Sequence, residues 1–118
     1  MRFRLVAFLV LALISASAAN ADGVSVITGV QHLASGNPGT CAANNRPLRL
    51  LLGNGIISSM TGNCKGPIKP DTTFDGQCSY NGENLHFSGR VVVTTVFLHT
   101  EHVFPSFTCV YDTQLVPE

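Results

Sequence analysis

From residue 24 onward, apolar positions recur every second residue or in short runs broken by Gly, Asn and Pro, and no segment carries the 3.6-residue period of a helix. VSVITGVQHL (24–33) predicts a first strand, followed by the loop SGNPGT (35–40). RPLRLLL (46–52) and IISSM (56–60) flank Gly53-Asn54-Gly55, a hairpin turn in which Asn and Gly tolerate positive φ. TGNCKGPIKPD (61–71), with two prolines and two glycines, predicts an irregular connection tied down by Cys64. In CSYNGENLHF (78–87) a turn around Asn81-Gly82 joins two strands. Whether that loop holds two residues or four, Cys78, Tyr80, Leu85 and Phe87 share one face, and Ser79 and His86 take the other. GRVVVTTVFL continues the pattern, and in SFTCVYD (106–112) Phe107, Cys109 and Tyr111 alternate with Thr108, Val110 and Asp112.

The pattern predicts an all-β fold: a small single-domain antiparallel sandwich or barrel of six to seven strands over residues 22–118, with no repeat. The alternative is a two-layer α+β fold with a short helix within 33–47. The motifs point to no known family.

The first residues follow a different rule. Arg2 and Arg4 precede an unbroken apolar run, Leu5 to Ile14, and small residues lead to Ala19-Asn20-Ala21. That order is a secretory signal peptide, residues 1–21, cleaved after Ala21. The run is about half the roughly 20 residues a membrane span needs. Its two arginines leave with it, so the seven Asp and Glu residues outnumber the remaining Lys and Arg. A mildly acidic chain lacks the basic footprint of nucleic-acid or anionic-membrane binding. The expected location is secreted, or periplasmic in a Gram-negative bacterium.

Export places four cysteines, Cys41, Cys64, Cys78 and Cys109, in an oxidising compartment, where an even count in a short chain predicts two disulfides. Their wide spacing does not fit a zinc site built on C-x-x-C pairs. Cys41–Cys64 is favoured because the intervening segments form a hairpin whose outer ends approach. Cys78–Cys109 is favoured because both sit on inward faces beside a tyrosine.

Chemistry concentrates in FLHTEH (97–102). In a strand, residues three apart point in opposite directions, so His99 and His102 do not chelate one ion. No metal or other cofactor is expected. His86, Ser88 and Arg90 share the polar face of one strand, and His99 and Glu101 extend that face on the next. A catalytic reading of His86, Arg90, His99 and Glu101 is a ribonuclease-like phosphodiesterase, with arginine stabilising the developing charge. The bland reading is the wet side of a sheet. G-x-S-x-G, H-E-x-x-H and phosphate-loop signatures are missing.

Binding draws on other residues. Val92 falls on a polar face, Phe97 or Leu98 must do the same, and Phe104 precedes a proline, so Val92, Phe97 and Phe104 are candidate partner contacts. The favoured function is a secreted, disulfide-stabilised, non-enzymatic binding module. It would act on an extracellular protein or glycan as an inhibitor, host-directed effector or adhesion factor.

Overall fold

The computed structural model describes residues 23–41, 46–80 and 83–118. The predicted signal peptide and the Asn81-Gly82 turn lie outside the described residues. The two-residue alternation is laid down as eight strands: β1 (Val24–Ser35), β2 (Arg46–Gly53), β3 (Ile56–Ser59), β4 (Lys65–Pro67), β5 (Thr73–Tyr80), β6 (Glu83–Val92), β7 (Thr95–Val103) and β8 (Thr108–Pro117). No helix forms among the described residues, so the α+β alternative is set aside.

The sequence predicted one or two strands fewer. The addition is β4, inside the segment expected to be an irregular connection. It pairs Gly66 with Ile57 and Pro67 with Ile56. Proline is tolerated there because β4 is an edge strand with no ladder on its far side.

All strands lie in one antiparallel sheet, ordered β4-β3-β2-β1-β8-β7-β6-β5. Each strand therefore sits beside its neighbours in the chain, and β1 pairs with β8 to join the two halves. Only β4 and β5 lack a ladder between them. That seam is closed by other means. Lys69 donates its backbone N–H to Thr73 O (2.8 Å), and its ammonium meets the Asp75 carboxylate at 2.8 Å. Gly66 passes so near β5 that a Cβ there would lie 3.0 Å from Asp75 O. The result is an up-and-down, near-closed barrel.

Apolar residues line its interior. At the end carrying the β2–β3 and β6–β7 turns, Ile27, Val96 and Leu115 are fully buried, and Phe74 packs 6.4 Å, ring to ring, from Phe87. The β2–β3 turn places Asn54 and Gly55 at φ 56° and 76°, the two positive values that a tight hairpin requires. Closing the barrel also needs sharp bends. At Gly89 a Cβ would fall 2.0 Å from Phe97 O and 2.8 Å from the Phe74 ring, so only glycine lets β6 approach β7 there.

Two disulfides form, as expected, but their pairing corrects the prediction. Cys41 bonds Cys109 and Cys64 bonds Cys78, with Cα–Cα distances of 5.7 and 5.4 Å. Cys78–Cys109 is excluded because β6 and β7 lie between β5 and β8, three strand spacings or about 14 Å along the sheet. Cys41–Cys64 fails because Cys41 lies on the β1–β2 loop and β1 pairs with β8, which brings Cys109 alongside. Cys64, immediately before β4, instead staples the seam to β5. Both bonds sit at the end opposite the packed floor, around the barrel's mouth.

Candidate functional site

Register places the predicted polar array on the outer face of β5–β8. Ser88 faces His99, His99 faces Asp112, and Asp112 faces His32 on β1. His86 stands opposite Glu101, with Gln77 on its other side. His99 Nδ1 lies 2.8 Å from Asp112 Oδ1 and its Nε2 lies 3.2 Å from Glu101 Oε2. The hydrogen bond to Asp112 holds the imidazole above its ordinary pKa; partial burial opposes this, and Glu101 adds to it. Both ring nitrogens of His99 are thereby engaged by carboxylates, which favours its protonated form.

His86, His99 and Glu101 share a shallow depression with Asp75, Gln77 and Ser88. Arg90 does not join it. Its guanidinium lies 5.8 Å from the centre of the Phe97 ring, one row toward the floor of the barrel. Of the four residues of the catalytic reading, His86, His99 and Glu101 lie together, and Arg90 stands one row away beside Phe97.

His102 points the other way. It lies inside the barrel mouth, 3.0 Å from Glu83 Oε1 through Nδ1, with its ring edge-on to Tyr111 at 5.3 Å. His99 and His102 are thus on opposite faces of β7. Among the described residues no three His, Cys, Asp or Glu side chains are grouped to hold a metal ion.

Among the described residues, none fills the interior at the mouth. Above the packed floor a cavity of about 350 Å³ is lined by Leu48, Leu50, Ile57, Leu85, Phe87 and Leu98; Gln31, Arg46, Thr100 and His102 are polar points of its inward face, and Arg49, Ser58, Ser59 and Thr61 also border it. Inward direction follows from register. Arg46 pairs with Gln31, and Gln31 with Thr113, so these three stand on the face that carries Ile27 and Leu115. Beside this cavity the Thr113 hydroxyl is buried without a hydrogen-bond partner, in the row between Gln31 and Leu98. Sequence reasoning passed over Arg46, Gln31 and Thr100. The available signal was parity: Arg46 shares the face of Leu48, Leu50 and Leu52 in RPLRLLL.

The three candidate partner contacts separate. Val92 and Phe97 are 45% and 40% exposed on the outer face near the floor. Phe104 lies at the mouth, half-buried against the Cys41–Cys109 disulfide and stacked on Phe107 at 4.6 Å. Comparison with protein-family models, curated proteins and solved structures returns no match.

Proposed function

We propose that the protein is a secreted, disulfide-stabilised binding module that takes a small, mostly apolar molecule into the mouth of its barrel. The observation that carries this reading is the cavity. An eight-stranded barrel has an interior just wide enough to be filled by side chains or to hold one small ligand. Among the described residues the floor is filled and the mouth is not, and 350 Å³ corresponds to about a dozen waters. An apolar wall with a few polar points is the usual make-up of a small-molecule site. The two disulfides suit an oxidising, extracellular compartment. The sequence suggests an extracellular protein or glycan as partner; such a partner would meet the outer face at Val92 and Phe97, which are 45% and 40% exposed.

Titration with N-phenylnaphthylamine, a neutral probe that fluoresces in apolar surroundings, tests the reading. Saturable binding is expected. Leu50→Trp, which fills the cavity, should weaken binding at least about tenfold, the effect of losing roughly 1.4 kcal/mol of contact. Phe97→Ala on the outer face should leave it unchanged. Binding that survives in a folded Leu50→Trp variant rejects the barrel mouth as the site.

A further inference from the structure

Building on that cavity, we propose that its ligand is an amphipathic monoanion whose carboxylate pairs with Arg46 while its apolar body enters among Leu48, Leu50 and Leu98. Three observations point there. The register places Arg46 on the inward face of its strand at the rim, opposite Gln31, so a long cationic side chain stands where the cavity opens. Arg49, three residues on in the same strand, also borders the cavity but stands on the opposite face of the strand and is matched by Glu118 at 2.7 Å. The Arg46 guanidinium has no ion pair or hydrogen bond among the described residues.

The other charged groups at the mouth favour this sign of ligand at this place. Glu83 is occupied by His102, so the carboxylate nearest the cavity already has its partner. A ligand cation would find no unpaired acid on the lining, whereas an anion finds a guanidinium whose planar fork fits a carboxylate bidentately. The volume limits the body to a small molecule, and Leu48, Leu50, Ile57, Leu85, Phe87 and Leu98 offer it an apolar wall.

Displacement of bound N-phenylnaphthylamine by dodecanoate and by dodecanol, at pH 8 and constant salt, separates head group from tail. Dodecanoate should displace the probe about tenfold more tightly than dodecanol, the gain of one charge-assisted pair. Arg46→Gln should bring the two to parity, Arg46→Lys should retain part of the preference, and Arg49→Gln should leave it intact. If the probe binds and dodecanol competes as well as dodecanoate, the carboxylate assignment is overturned and the cavity reading stands. Preference for dodecanoate that persists in Arg46→Gln likewise overturns it. If the probe does not bind, the cavity reading falls, and this inference with it.

Discussion

His99 lies between two carboxylates, and its consequence for stability has a definite sign. The folded protein holds this imidazole above its ordinary value through Asp112 first and Glu101 second. A raised pKa means that the native state binds the proton more tightly than the unfolded chain, whose histidine titrates near about 6.5. The stabilisation is therefore complete below about pH 6.5, provided both carboxylates stay ionised, and is lost as pH rises through the raised value. The side chain is 42% exposed, so screening keeps the contribution under about 1 kcal/mol. His99→Gln should lower the urea midpoint at pH 6 and have little effect at pH 9; an equal loss at both would assign the effect to packing. RNA incubated with the protein should remain intact, because Arg90 stands a row away from His86, His99 and Glu101, over Phe97. Turnover that vanishes in folded His99→Ala would restore the hydrolase reading. Micromolar zinc should leave the melting temperature unchanged within error, since binding to the native state alone would raise it. A rise of several degrees removed by either His99→Ala or His102→Ala would show that the two rings share an ion. The opposition of His99 and His102 was legible because it needs only strand parity. The Asp112–His99 contact was not, because it depends on β8 pairing with β7 in one particular register.

At the scale of elements, the sequence is most informative where neighbours in the chain pair with each other. The β2–β3 hairpin and the inward set Cys78, Leu85 and Phe87 follow from turn residues and parity alone. β4 escaped because its residues, Lys-Gly-Pro, carry no strand propensity. It forms because β3 offers an open edge and Gly66 alone can pass β5 so closely. Glycine in a strand usually weakens it, and Gly89 shows when the reverse holds. Its backbone does not lie in the left-handed region, so the effect of a side chain there comes from contact with Phe97 O and Phe74 rather than from φ. Gly89→Ala should therefore cost about 1–3 kcal/mol, the range for forcing volume into a packed site. Gly62→Ala, whose added Cβ meets nothing but whose φ is 82°, should cost about 1 kcal/mol through backbone strain alone. Equal losses by denaturant titration would deny Gly89 a special role in bending β6 over β7.

For the whole molecule, closure decides what the sequence conceals. The pairing of β1 with β8 joins the two ends of the described chain, and neither strand announces its partner in composition. The Cys41–Cys109 pairing depends on that contact and the cavity on closure of the whole sheet, so neither was readable from local pattern, whereas the face of Arg46 needed only the parity of its own strand. The two disulfides divide the work that closure requires. Cys41–Cys109 spans 68 residues and Cys64–Cys78 spans 14, which in the chain-entropy model corresponds to about 4 and about 3 kcal/mol. The longer link constrains the unfolded chain more, and it anchors a small second core of Tyr111, Leu33 and Phe104 at the mouth. The shorter one replaces the ladder missing between β4 and β5, and Cys64 itself lines the cavity. Cys41→Ala/Cys109→Ala should thus lower global stability more, measured as the urea midpoint. Cys64→Ala/Cys78→Ala should loosen the seam and weaken N-phenylnaphthylamine binding more, although its midpoint falls less. Finding both effects larger in the same double variant would mean that the seam bond does not serve the cavity separately from the fold.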